Sequence, residues 1–156
     1  MGQIDISTAS IIKVGLSGLF IYLIAPLLLV ARDMLILKAI ECWVLTSSLT
    51  FDIGICESDR WHLNNTYQKK RKFMLPVSGG EKSYELAGEI VSEEDYNNYE
   101  SGLKMHQNRS NFLDSKINFR HNLVVWITKH YKQAEFKSPI PEWREEAYQR
   151  AERDNA

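Results

Sequence analysis

Apolar residues are spread unevenly along this chain. From Ile11 to Val30, twenty consecutive residues carry a single charge, Lys13. At about 1.5 Å of rise per residue, a helix of that length covers roughly 30 Å, the thickness of a bilayer's hydrocarbon core. Lys13 sits near one end, where its side chain can reach the interface. Pro26 is costly in the interior of a soluble helix but tolerated in a membrane-spanning one. The pattern predicts a transmembrane helix over 11–31, preceded by a short tail, 1–10. A cleaved signal fits poorly, because "MGQIDISTAS" has no basic side chain and carries Asp5.

A second apolar segment, 32–56, is ambiguous. Its Leu, Ile, Val and Phe residues each favour insertion by about 0.3–0.6 kcal/mol, whereas a charge at mid-membrane costs about 2.5–3.5 kcal/mol. Lys38, Glu41 and Asp52 therefore offset most of the gain. No Gly, Pro or Asn marks a turn near Arg32-Asp33. One span is expected, with a two-helix hairpin as the alternative. Two periodicities compete within the segment. At a helical period, Lys38, Glu41, Ser48 and Asp52 fall within an arc of about 80°, a polar stripe suited to contact with a partner. From Ser48 onward "SLTFDIGI" alternates as a strand would, with Leu49, Phe51, Ile53 and Ile55 on one face. The expectation is a helix that emerges from the membrane, ends near Leu45 and gives way to a strand.

Beyond Cys56 the chain turns polar, so residues 57–156 read as a water-soluble α+β body. "ESDRWHLNNTYQ" reads as a polar turn. Strands around Phe73–Val77 and Ser83–Val91, joined at Ser78-Gly79-Gly80, make a hairpin, and Pro76 puts the first strand at an edge. With Leu49–Ile55 the hairpin would complete a three-stranded antiparallel sheet. Ser92 followed by Glu93, Glu94 and Asp95 is a helix start with a capping side chain and acids in its first turn. Gly102 is expected to end that helix. A further helix is predicted from about Ser115 to Gln133, on the spacing of Leu113, Ile117, Val124 and Ile127. "SPIPEW" then stops the chain, and Pro141 suits the first turn of a last helix with an apolar stripe of Trp143, Ala147 and Ala151. The fold class is thus membrane-anchored α+β: one transmembrane helix followed by a small antiparallel sheet with helices.

Charge adds an orientation. Lys69, Lys70, Arg71 and Lys72 lie after the apolar region, and positive residues stay cytoplasmic, so the body is expected inside the cell. The same four residues could hold anionic lipid headgroups. With 19 Lys+Arg against 20 Asp+Glu, nothing draws the chain to nucleic acid. The two cysteines, Cys42 and Cys56, have no metal-ligand spacing.

Candidate chemistry is sparse. "SGGEKS" lacks the glycine a phosphate loop needs before its lysine, and Glu81 would repel the phosphate. His62, His106, His121 and His130 have no metal-site spacing. No catalytic set, metal or cofactor is expected. These features point to a non-enzymatic small membrane protein, with membrane lipid and a larger membrane complex as partners. It would serve as subunit, adaptor or inhibitor of a transport, secretion or DNA-entry machine. The alternative is a membrane-surface enzyme or ligand sensor that uses His106 or His121.

Overall fold

A computed structural model of the chain describes residues 8–68, 72–76, 82–133 and 135–155. It divides into two units, one ending at Trp43 and one beginning at Val44. The fold is mostly helical, with one long apolar N-terminal helix and a small antiparallel sheet.

The first unit holds α1 (Thr8–Leu19), a wider π-helical turn (Phe20–Ile24) and α2 (Ala25–Ala39), leading into a second π-helical turn (Ile40–Val44). Pro26 accounts for the first irregularity. It cannot donate to the Tyr22 carbonyl four residues back, and the widened turn lies just before it. The helical path runs unbroken through Arg32-Asp33, so the hairpin alternative finds no turn there. Among the described residues, one helix, Ile12–Val44, is long and apolar enough to cross a membrane. Its apolar side chains are exposed from Ile12 to Leu35, Tyr22 at 85 % and Leu27 at 72 %, whereas Ile40 and Val44 near its end are buried.

The second apolar segment is therefore not one element. Its first part extends the long helix to Val44, and its second belongs to α3 (Ser47–His62). The break falls at Leu45-Thr46, where Thr46 takes an extended conformation and its carbonyl accepts from the Leu49 and Thr50 amides. The strand expected over Ser48–Ile55 is helical. Leu49, Ile53 and Cys56, at spacings of four and three, are fully buried, while Phe51 is 70 % exposed. A period of 3.6 thus prevails over the alternation, because α3 lies between two other helices and buries one stripe. The supposed polar turn after Cys56 is also helical, as the end of α3 and a π-helical turn (Leu63–Tyr67).

The sheet comprises β1 (Lys72–Pro76), β2 (Lys82–Leu86) and β3 (Glu89–Val91), paired antiparallel in that order. The expected hairpin forms, with Met74 opposite Tyr84 and Pro76 on an edge strand; its Ser78-Gly79-Gly80 turn lies outside the described residues. The third strand comes from a second turn, not from Leu49–Ile55. Ala87 (φ 56°) and Gly88 (φ 91°) are both left-handed, as a two-residue hairpin requires, and they split Ser83–Val91 into β2 and β3. Tyr84 packs on Tyr96 at 4.9 Å between ring centres and donates to Glu93 at 2.9 Å, tying β2 to the next helix.

That helix, α4 (Glu93–His130), is 38 residues long. The Ser92 hydroxyl accepts from the Asp95 amide at 3.0 Å, as the sequence predicts. Gly102 does not interrupt it. A methyl group there would meet the Tyr67 hydroxyl at 2.5 Å, so glycine marks a close approach. α5 (Ile140–Asn155) begins with Pro141 in its first turn, and Trp143 and Ala147 pack on the core. The core of the body is Leu49, Ile53 and Cys56 from α3, Leu113 and Ile117 from α4, and Ile140 from α5.

Ile53→Ala is expected to destabilise the body by about 2–5 kcal/mol, and Phe51→Ala by no more than about 0.5 kcal/mol. Urea unfolding in mild detergent, followed by tryptophan fluorescence, measures both. Equal losses would restore the strand reading, which puts the two residues on one face.

Candidate functional site

The chemistry of the body is concentrated where α3 faces α4 and α5. Glu57 and Asp59 leave α3 two residues apart and are both buried, at 2 % and 1 % exposure. Isolated charges at such sites would be strongly disfavoured, so each must be paired and hydrogen-bonded. Asp59 accepts Arg109 Nε at 2.6 Å and its terminal nitrogen at 2.5 Å, a bidentate pair, and His106 Nδ1 lies 2.6 Å away. Glu57 accepts Arg144 Nε at 2.6 Å and Arg60 at 3.2 Å. The same two arginines reach Asp114 of α4, Arg144 at 2.6 Å and Arg60 at 2.9 Å. Two carboxylates and two guanidiniums thus close a ring that joins α3, α4 and α5. Among the described residues every buried polar side-chain atom has a partner.

Burial alone would push the Asp59 carboxyl up, but hydrogen bonds from Arg109 and His106 outweigh it and hold it below its ordinary value. Asp114 behaves likewise: burial raises it, the bonds to Arg144 and Arg60 lower it, and the net direction is down. Burial pushes the Cys56 thiol up, and its sulfur points to the Ser110 carbonyl at 3.7 Å, which suits an inert core residue.

His106 is oriented by a carboxylate, as a catalytic imidazole would be, yet Arg109 already neutralises that carboxylate. The rings nearest to it are His62 at 5.3 Å and Tyr67 at 5.5 Å. His121 Nδ1 meets the Ser138 hydroxyl at 3.0 Å, which pins the α4–α5 connection. His130 stacks on Trp126. The grooves along α3 and α5 are lined by Thr50, Phe51, Gly54, Ser58, Arg109 and Arg150, and not by histidine. Among the described residues no group of three or more His, Cys, Asp or Glu could hold a metal ion.

The polar stripe predicted for partner contact does not continue on one helix, because the break at Leu45-Thr46 resets the phase. Lys38 and Glu41 form an exposed pair at 3.4 Å in the first unit. Ser48 is exposed in the first turn of α3, and Asp52 is engaged with Lys116 of α4 at 2.7 Å. Lys69, Lys70 and Arg71 lie outside the described residues, and Lys72 opens β1. Sequence reasoning missed Glu57, Asp59, Arg109, Asp114 and Arg144. One signal was present: acids at 52 and 59 and bases at 109 and 116 share a seven-residue interval, and they pair in reverse order, as antiparallel helices require.

No family model, curated protein or solved structure matches the chain.

Arg109→Met leaves the Asp59 charge buried beside His106 alone and is expected to cost about 3–5 kcal/mol. Asp59→Asn frees a half-exposed arginine and is expected to cost less, about 1.5–3 kcal/mol. Denaturant midpoints at neutral pH compare the two. Both carboxyls are held below their ordinary value, so their contribution is complete above that value and fades as pH falls through the lowered folded one. The gap between the wild type and Asp59→Asn/Asp114→Asn should therefore begin to narrow below about pH 3.8 and go on narrowing as the pH falls further. A gap that is the same at pH 2 as at pH 6 would contradict the pairing.

Proposed function

We propose that this is a non-enzymatic membrane protein, anchored by its N-terminal helix with the body in the cytoplasm. It docks onto a larger membrane complex as a subunit, adaptor or inhibitor of transport, secretion or DNA-entry machinery. The observation that carries this reading is the length of the helix Ile12–Val44 and the exposure of its apolar side chains from Ile12 to Leu35. Its 33 residues span about 50 Å as a helix, against roughly 30 Å of hydrocarbon. About 20 Å of helix is left over. That surplus, from around Arg32 to Val44, mixes Arg32, Asp33, Lys38 and Glu41 with exposed Met34 (68 %), Leu35 (70 %) and Trp43 (80 %). A mixed surface of this kind is suited to burial against another protein. Lys69, Lys70, Arg71 and Lys72 support the cytoplasmic orientation. The body's buried charges are spent on joining its own helices, which favours a structural role over a reactive one.

Extraction of the tagged full-length protein from its native membrane in mild detergent, with mass spectrometry of what stays bound, tests the reading. A stoichiometric membrane partner is expected. Lys38→Glu/Glu41→Lys should reduce its recovery by about tenfold, the loss of roughly 1.4 kcal/mol, without releasing the protein from carbonate-washed membranes. A chain that comes away alone would defeat the docking reading.

The orientation of His106 by Asp59 supports a second reading, a membrane-surface enzyme or ligand sensor. It predicts that His106→Gln or His121→Ala abolishes a ligand-induced change in the purified protein while the variant remains folded under the conditions of the measurement. Unaltered behaviour in both variants would remove it.

A further inference from the structure

The outer face of α4 carries Met105, Phe112, Phe119 and Trp126 at intervals of seven residues, 52, 70, 69 and 61 % exposed. At about 200 Å² for each large side chain, those fractions leave roughly 500 Å² of apolar surface in one row. A soluble face rarely shows a contiguous apolar patch beyond a few hundred Å², so the row marks a contact. Two such rows set together bury about 1,000 Å² before any neighbour is counted, the size at which specific interfaces begin.

The spacing says what covers the row. Residues seven apart drift about 20° around a straight helix, and they stay on one seam where a second helix coils with the first at a shallow angle. The positions three further on, Asn108, Ser115 and Asn122, fill the other half of such a seam. They are exposed and uncharged, and their order reads the same in both directions. Two copies of α4 running antiparallel about a two-fold axis at Ser115 therefore match along their length. Phe112 meets the partner's Phe119, Met105 the partner's Trp126, and Asn108 the partner's Asn122. Paired amides both donate and accept, so an Asn layer inside a helical seam is satisfied in one register and not in others.

Charge selects the same direction. Antiparallel overlap about Ser115 sets Glu100 opposite residue 130, beside the partner's Lys129, whereas parallel copies would set Glu100 on Glu100 and Lys129 on Lys129. Arg109 and Lys116, which flank the middle of the row, are paired with Asp59 and Asp52 of α3 and bring no uncompensated charge to the seam.

We infer that the occupant of this face is a second copy of the chain, the two bodies joined through α4 as an antiparallel, two-fold pair centred at Ser115. All these residues belong to the second unit. The inference goes beyond the docking reading and depends neither on it nor on the membrane span.

The test uses the full chain with Cys42→Ser, which leaves Cys56 buried, and one new cysteine. A bismaleimide short enough to join only helices in contact, about 8–10 Å between axes, is applied in the native membrane. Ser115→Cys is expected to cross-link to its own counterpart. Asn108→Cys and Asn122→Cys, each roughly 20 Å from its counterpart along the seam, should not, but the two co-expressed should link to each other. Phe112→Glu/Phe119→Glu in the Ser115→Cys chain should lower the cross-linked fraction at least about tenfold, since four aromatic side chains leave the pair, with the helical circular dichroism of the purified chain unchanged. Self-linking at 108 and 122 would mean parallel copies and overturns the inference, as does a chain that stays unlinked at 115. Linking of 115 to a different protein, or linking between copies that the two Phe substitutions do not reduce, overturns it too. Self-linking at 115 in a chain that mild detergent extracts without other proteins supports the pair while defeating the docking reading.

Discussion

The body depends on one constraint: α3 buries two carboxylates that cannot remain unpaired. Asp59 requires Arg109 and His106 from α4, and Glu57 requires Arg60 and Arg144, the latter from α5. Apolar packing alone fixes the position of α3 along its axis less firmly, since Leu49 and Ile53, about one turn apart, are equal in bulk. A slide of one turn, about 5.4 Å, would strand both charges. The charges therefore fix register, and the apolar cluster beneath them supplies the area removed from water. Whether ion pairs at such sites add net stability is a separate matter, because desolvation offsets much of their attraction.

Around that joint the remaining parts are less constrained. The sheet is attached through Tyr84, which packs on Tyr96 and donates to Glu93. The α4–α5 connection is pinned by His121 on Ser138. Tyr67 occupies the space that a side chain at Gly102 would need, and Tyr99 donates to its carbonyl at 2.6 Å. Aromatic and hydroxyl groups hold these peripheral segments, whereas charges hold the centre.

How much of this could be read from residues alone depends on whether neighbouring positions agreed. The long apolar helix was legible because every face of it is apolar. The cap at Ser92 was legible because a capping side chain and three acids coincide. The hairpin was legible through Pro76 and its glycines, although β3 was not, since Ala87-Gly88 is an unusual turn pair. α3 was misread for an identifiable reason. Its buried stripe changes from Leu49, Ile53 and Cys56 to Glu57, so the apolar period stops halfway, and the exposed Phe51 completes a false alternation. Gly102 misled because glycine marks both helix ends and close approaches, and the approaching group, Tyr67, is distant in sequence. The charge ring of Glu57, Arg60, Asp114 and Arg144 was hidden likewise, since its members come from three segments, and the matched intervals at 52, 59, 109 and 116 betray only the neighbouring α3–α4 pairs.

The joint at Val44 has a mechanical consequence. Only Leu45 and Thr46 separate the long helix from α3, and Arg120 grips both the Val44 carbonyl and the Thr46 hydroxyl from the side of α4. Arg120 thus clamps the start of α3 onto α4 at the point where the helical path breaks. Without it the first turn of α3 would be held at that end by the Thr46 carbonyl and would fray from there. With it, opening that turn also costs the two bonds to α4.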